Sequence, residues 1–176
     1  YKRIFFYILK GRRQMDRIDR ITLRAPQKDG GKKNTELARE TGLAPSTMLD
    51  RVKKLEEKGI LKGYRAVMDP AKLGLNAQGF ACLSLDRHNV KDIENLEARI
   101  KQIPGVRACY HITGRFDYLL HVVAASLDDL GEMIKSSLAT IPGIGKIETF
   151  LVYSEVKPDA GWPIEATGEE KERSVS

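Results

Sequence analysis

Residues 45–59, PSTMLDRVKKLEEKG, combine the spacing of an amphipathic helix with side chains that could contact a polyanion. The inward stripe of a helix over Pro45–Lys58 falls at Met48 or Leu49, Val52, and Leu55 or Glu56. Hydroxyl, carboxylate and cationic side chains lie away from most of that stripe: Ser46, Thr47, Asp50, Arg51, Lys53 and Lys54. Serine and threonine can reach base edges or phosphates, arginine can make a forked contact to guanine or phosphate, and lysine supplies charge along the backbone. A solvated helix with pairs such as Asp50 with Lys54 has the same composition, so this stretch alone does not decide between the two.

Two shorter helices are predicted to hold this helix in place. The first covers residues 15–29, where Pro26 interferes with the last turn and leaves the helix short or bent. The second covers 34–41, with Leu37 and Ala38 inward and Asn34 or Thr35 as its cap. Gly42 ends it, and a short turn leads into the third helix, which is the layout of a helix-turn-helix. The alternating segment 60–68 that follows predicts a small β-ribbon, or wing.

The charge distribution favours DNA as the partner of this part of the chain. Residues 1–65 contain 18 Lys and Arg against 8 Asp and Glu, whereas residues 66–176 contain 12 against 16. Neutralisation of phosphates by Lys and Arg drives nucleic-acid affinity, so a basic N-terminal module and a different C-terminal module are expected. A solvated basic surface is the alternative that charge alone leaves open.

Beyond residue 77 the pattern predicts two similar βαβ halves. The first has a strand at 78–86, a helix at 90–102 and a strand at 106–113; the second has a strand at 117–125, a helix at 127–140 and a strand at 146–156. Ile103-Pro104-Gly105 and Ile141-Pro142-Gly143 stand at equivalent places, 38 residues apart. The order βαββαβ is the ferredoxin-like arrangement. Several strands are apolar on both sides of the alternation, which predicts that both sheet faces are buried and that the chain forms a homo-oligomer.

The chain also resembles the leucine-responsive/asparagine (Lrp/AsnC) transcription regulators. The resemblance covers about residues 15–157 and rests on MDRIDR, QKDG, NTELARETGLAPST, RVKKLEEKGILKGYRAVMDPAKLGL and ITGRFDYLLHV. It implies an α+β protein with a winged helix-turn-helix followed by a ferredoxin-like βαββαβ domain that senses a ligand. It also implies dimers formed through the sheets, octamers that bend or wrap DNA, and an amino acid or related effector bound near Gly114-Arg115-Phe116-Asp117.

The residues of that loop suit a zwitterion, because Gly114 lets backbone amides approach a carboxylate and Asp117 can hold an ammonium group. A turn made by Gly114 and capped by Asp117 is an equally good interpretation. Arg115 departs from the family pattern, where an acidic residue is frequent, and Lys33 occupies the family's usual capping position. The full set of predicted effector residues is Thr113, Gly114, Arg115, Phe116, Asp117, Tyr118 and Thr149.

The remaining features argue against an enzyme, a metalloprotein and a membrane protein. His88, His111 and His121 are isolated, no metal-ligand spacing is present, and no cofactor is expected. No apolar run approaches the roughly 20 residues needed to cross a bilayer, and the two cysteines form no closely spaced pair, so a cytoplasmic location is expected. The main rival to a DNA-binding regulator is an amino-acid-binding module that acts on a protein partner.

The predicted division of the chain has five parts. They are a basic N-terminal arm at 1–14, the winged helix-turn-helix at 15–65, a linker at 66–76, the ferredoxin-like sensing and oligomerisation domain at 77–157, and a polar tail at 158–176.

Overall fold

The computed structural model describes residues 15–86 and 89–164, which cluster into two compact units. Among the described residues, those from 15 to 67 and from 158 to 164 form the helical unit, and Met68–Lys157 contains the sheet unit. Each unit has its own cluster of buried apolar side chains. Of the predicted polar tail, residues 158–164 cluster with the helical unit. Residues 165–176 and the predicted arm at 1–14 lie outside the described residues.

Helix α1 spans Arg17–Lys28 and begins with a reciprocal cap. The carboxylate of Asp16 accepts from the backbone N–H of Asp19 at 2.8 Å, and the carboxylate of Asp19 accepts from that of Asp16 at 3.2 Å. The expectation that Pro26 shortens the helix is corrected, since α1 continues through it to Lys28. Pro26 lies in the last turn of α1, where its missing N–H and its ring disturb few intrahelical hydrogen bonds. The N–H of Asp29 still donates to the carbonyl of Ala25 at 2.9 Å.

Helices α2 (Asn34–Thr41) and α3 (Pro45–Glu57) confirm the predicted helix-turn-helix. Gly42 ends α2 at φ +71°, a left-handed conformation that glycine adopts without strain. The helices pack through Leu37, Ala38, Met48 and Val52, and the buried stripe of α3 ends at Leu55. The sequence left open whether Met48 or Leu49 faces the core. Met48 is fully buried and Leu49 is exposed, so Met48 is the core residue.

Two local expectations in this unit are corrected. Neither Asn34 nor Thr35 caps α2: its N-cap is Lys33, which makes no side-chain capping hydrogen bond. Residues 60–69 contain no assigned strand, so the predicted ribbon is absent from this part of the described chain. An extended segment forms a strand only when a partner strand supplies backbone hydrogen bonds. In this segment the side chains of Val67 and Met68 are exposed.

The sheet unit confirms the βαββαβ order. Its elements are β1 (Ala77–Leu85), α4 (Val90–Ile100), β2 (Val106–His111), β3 (Tyr118–Ala124), α5 (Leu127–Met133) with a π-helical continuation Ile134–Leu138, and β4 (Ile144–Leu151). The strands are antiparallel in the order β2-β3-β1-β4. Strand β4 begins two residues earlier and ends five residues earlier than predicted.

The sheet has one face covered by helices and one that is not. Ala81, Leu83, Leu120 and Val122 are buried against residues of α4, α5 and its continuation. Strand alternation turns their neighbours to the other side, named here the open face: Phe80, Cys82, Tyr110, His121 and Phe150. Phe80 and His121 stack there at 5.0 Å between ring centroids, while Tyr110 and Phe150 are about half exposed. Among the described residues no helix is long and apolar enough to cross a membrane.

Candidate nucleic-acid interface

The exposed side of α3 carries five of the six residues that the sequence assigned to DNA. Ser46, Thr47, Asp50, Lys53 and Lys54 are all exposed, and together they are named the α3 surface. At 3.6 residues per turn, they lie away from the buried stripe of Met48, Val52 and Leu55. The α3 surface therefore presents hydroxyl, carboxylate and ammonium groups side by side to solvent.

Arg51, the sixth residue, is placed differently. Its Nη1 donates to Oδ2 of Asp16 at 2.6 Å and to Oδ1 of Asp19 at 2.9 Å. The exposed fraction is 30% for the Arg51 side chain and 15% for that of Asp19, so this cluster is only partly solvated. Arg51 pairs with the two carboxylates that cap α1, and its contact with DNA stays a prediction.

The ion pair between Asp16 and Arg51 favours the charged forms of both groups. Burial by itself raises the pKa of Asp16, but the backbone N–H of Asp19 and the guanidinium of Arg51 outweigh it, and the pKa of Asp16 is lowered. The hydrogen bond to Asp16 raises the pKa of Arg51, with burial opposing it less strongly and Asp19 adding to it. Asp16 and Arg51 are therefore both charged at neutral pH.

A groove of about 360 Å³ lies beside this cluster in the helical unit. Its wall includes Asp19 from α1 and Thr47, Asp50, Arg51 and Lys54 from α3. Part of the α3 surface thus continues directly into the Asp16, Asp19 and Arg51 cluster.

The two helices of the helix-turn-helix also differ from α1, α4 and α5 at their N-termini. Side chains of Asp16, Asn89 and Ser126 cap those three helices. The N-caps of α2 and α3 are Lys33 and Ala44, which make no such bond. A helix start without a side-chain cap keeps backbone N–H groups available for an anion such as phosphate.

The loop predicted to bind an effector is arranged by backbone and side-chain contacts within the sheet unit. Gly114 has φ +133°, which only glycine adopts readily. One carboxylate oxygen of Asp117 accepts from the N–H of Leu85 at 2.8 Å, which connects the loop to the end of β1. The guanidinium of Arg115 lies 4.6 Å from the ring centre of Phe116 and 3.3 Å from a carboxylate oxygen of Glu148.

Tyr118 and Thr149 point away from that arrangement. Tyr118 is buried among the core residues, its ring stacks on His111, and its hydroxyl donates to Oε1 of Glu97 at 3.0 Å. Burial first, and then the bond to Glu97, raises the pKa of Tyr118 to about 12. Thr149 pairs with Ala81 and shares its helix-covered side of the sheet, whereas Glu148, the partner of Arg115, pairs with Cys82 on the open face. In the single chain the predicted effector residues therefore fall on both sides of the sheet.

Comparisons with known proteins agree with both units. The family model described as winged helix-turn-helix DNA-binding matches residues 15–62, and the one described as Lrp/AsnC ligand binding domain matches 78–162. The leucine-responsive regulatory protein of Salmonella typhimurium is 32% identical over 145 residues, which cover 82% of this chain and 88% of that protein. The chain belongs to the Lrp/AsnC family.

Solved structures of similar proteins support the same assignment. A Neisseria meningitidis transcriptional regulator in complex with L-Met superposes with a TM-score of 0.80 at 29% identity, covering 85% of this chain and 97% of that one. AsnC of E. coli superposes with a TM-score of 0.74 at 28% identity, covering 82% and 95%. This Lrp/AsnC chain is thus a DNA-binding transcription regulator with a ligand-binding domain, and its family is one of regulators, not enzymes.

Sequence reasoning about this Lrp/AsnC regulator missed the acidic partners of Arg51. The signal was present, because Asp16 and Asp19 have the three-residue spacing of a reciprocal helix cap. It also missed Glu97, which has no local pattern that connects it to Tyr118. Over the described ranges, no group of His, Cys, Asp and Glu side chains is placed to hold a metal ion.

Proposed function

We propose that this Lrp/AsnC regulator recognises specific sequences in duplex DNA by laying the α3 surface in the major groove. The observation that carries the proposal is the exposure of Ser46, Thr47, Asp50, Lys53 and Lys54 on one side of the third helix of a helix-turn-helix. A recognition helix of this kind contacts base edges near its N-terminus, while cations along it neutralise phosphates. Ser46 and Thr47 then meet bases or phosphates, and Lys53 and Lys54 meet the backbone.

The backbone of the helical unit adds to this binding mode. Neither α2 nor α3 has a side-chain cap, so the N–H groups of their first turns are suited to phosphate oxygens. Because the target is genomic DNA, we expect the chain in the cytoplasm.

The experiment is a salt titration of DNA binding by the full chain and by its Lys53→Ala, Lys54→Ala double variant. Each lost phosphate contact should lower the slope of log affinity against log salt by about 0.9. The matched control is Lys91→Ala, which removes an exposed lysine from α4 in the sheet unit. A wild-type affinity that does not change with salt, or a double variant with the slope of the wild type, would contradict the proposal.

We further propose that the protein is a homo-oligomer in which the open face meets the same face of a second copy, with dimers associating further, up to octamers. The face carries Tyr110 and Phe150, both about half exposed, beside the Phe80 and His121 stack. Burial of His121, with a smaller contribution from Arg107, lowers the pKa of His121 and favours its neutral form. Its Nε2 is buried with no hydrogen-bond partner in the described part of the chain, and a second copy could supply one.

An amino acid or a related small molecule is the proposed effector. The relatives named above include a leucine-responsive regulator and a protein solved with L-Met. We assign the site to Thr113, Gly114, Arg115, Phe116, Asp117, Tyr118 and Thr149. Because these residues lie on both sides of the sheet in one chain, we expect residues of another subunit to complete the site, as in an assembly that binds its effector between subunits.

A further inference from the structure

Arg51 occupies a distinct position on the recognition helix. It lies between the buried stripe, which includes Val52, and the exposed α3 surface, and its side chain is 30% exposed. Its Nη1 is shared between the carboxylates of Asp16 and Asp19, at 2.6 and 2.9 Å. Both of these charge-assisted bonds come from Nη1, so this end of the guanidinium is directed to the carboxylates of α1 and not to DNA.

The two carboxylates are themselves fixed. Each accepts a hydrogen bond from the backbone N–H of the other residue in the reciprocal cap of α1. The cap therefore joins the start of α1 to the middle of α3 through Arg51. Elsewhere between these helices the packing includes Ile18 against the Met48 and Val52 cluster, and the Thr22 hydroxyl lies 3.5 Å from Sδ of Met48.

Apolar packing and ion pairs constrain a helix in different ways. Apolar contacts are not directional, so they tolerate small rotations of α3 about its own axis. A hydrogen-bonded arginine between two carboxylates has a defined geometry and resists such a rotation. Base contacts by Ser46 or Thr47 depend on this rotation, because recognition requires side chains to be held within about 0.5 Å of their productive positions.

We propose that Arg51 is a positioning residue for DNA recognition, and that Asp16 and Asp19 strengthen specific DNA binding although they carry the same sign of charge as DNA. This inference rests on the proposed function of the α3 surface. It makes a prediction opposite to that of simple electrostatics, because removal of two negative charges from a DNA-binding unit should otherwise tighten binding.

The experiment compares Asp16→Asn, Asp19→Asn and Arg51→Ala in the full chain. Two duplexes are used: one selected from random-sequence DNA by the wild-type protein, and poly(dI-dC) as non-specific DNA. Each variant should bind the selected duplex roughly tenfold more weakly, a loss of about 1.4 kcal/mol, and poly(dI-dC) as well as the wild type does. The salt slope of Arg51→Ala should equal that of the wild type, whereas loss of a phosphate contact lowers it by about 0.9.

The control is Asp128→Asn, which removes an exposed carboxylate from the first turn of α5 in the sheet unit. It measures the effect of the charge change alone. Circular dichroism and thermal unfolding establish that each variant is folded at the assay temperature. Asp16 is the more exposed of the two acids, at 51% against 15%, so Asp16→Asn keeps the test available if Asp19→Asn does not fold.

Three outcomes would overturn the positioning role. Tighter binding of the selected duplex by the Asn variants would indicate that Arg51 is released to contact DNA. An equal loss on both duplexes would indicate general destabilisation, and unchanged binding would indicate no role for the cluster. Failure of the proposed function is distinguishable from these, because the wild type itself would then select no duplex and show no salt dependence.

Discussion

The two predicted sites of this regulator differ in how the fold arranges their residues. Five of the six residues predicted to contact DNA lie together on the exposed side of α3, whereas the residues predicted to bind an effector fall on two sides of the sheet. The α3 surface belongs to one helix, where spacing along the chain determines which residues share a side. The predicted effector residues come from a loop, β3 and β4, so their arrangement depends on strand register and on the direction of each side chain. The comparison shows that spacing along the chain predicts which residues share a side only when all of them belong to one helix or strand.

The strongest test of this comparison is Phe150→Asp on the open face. If subunits meet there, a charge placed in the apolar contact should raise the dimer dissociation constant by at least about 100-fold, equivalent to about 2.7 kcal/mol. Sedimentation of the wild type and of Phe150→Asp measures the dimer dissociation constant. Calorimetric titration of the same two proteins with L-leucine and L-methionine measures effector binding. Because the change lies outside the helical unit, circular dichroism should still show folded helices. A Phe150→Asp variant with wild-type assembly would mean that the open face is not the contact.

Arg115→Ala tests the effector site without disturbing the fold. Arg115 is 71% exposed and its pair with Glu148 is a surface contact, so the free energy of unfolding should change by less than about 0.5 kcal/mol. If Arg115 contacts a carboxylate of the effector, amino-acid affinity should fall about tenfold, because a charge-assisted hydrogen bond is lost. Calorimetric titration of both proteins with the same amino acids provides the measurement. Lys146→Ala, which removes the other cation beside Glu148, is the matched control.

Tyr118→Phe has the smallest expected effect and separates a core role from a ligand role. Loss of the bond from its hydroxyl to Glu97 should lower the free energy of unfolding by about 1 kcal/mol, a fivefold change in the folding equilibrium. The folded-state pKa is raised to about 12 from 10, so this stabilisation is complete below pH 10 and is lost as the pH rises toward 12. The free energy of unfolding, measured with denaturant, should therefore fall less between pH 8 and pH 11 for Tyr118→Phe than for the wild type. An unchanged stability accompanied by lost effector binding would indicate that the Tyr118 hydroxyl contacts the ligand and does not stabilise the core.

Much of the fold follows from periodicity and from residues that begin or end elements. Both ends of α2, Asn34–Thr41, were predicted correctly, and Gly42 marks its end. The βαββαβ order followed from two similar strand-helix-strand patterns, each with an Ile-Pro-Gly hinge between its helix and its second strand. The ends of β4 and the ribbon at 60–68 were not predicted correctly. A strand ends where its partner ends, and β4 stops near the end of its pairing with β1 at Gly79. Extended segments without a partner in the described chain have no such limit, so alternation overestimates them.

The sequence by itself determined the helix-turn-helix, the order of strands and helices, and the exposed residues of α3, because each depends on contacts within one element or on local patterns. Only the tertiary structure decided that Arg51 pairs with Asp16 and Asp19, residues 35 and 32 positions away. It also decided that Tyr118 turns to Glu97 while Arg115 turns to Glu148. The physical reason is that an arginine between a helix surface and a core has several possible partners, and only the packing of another helix places one within hydrogen-bonding distance.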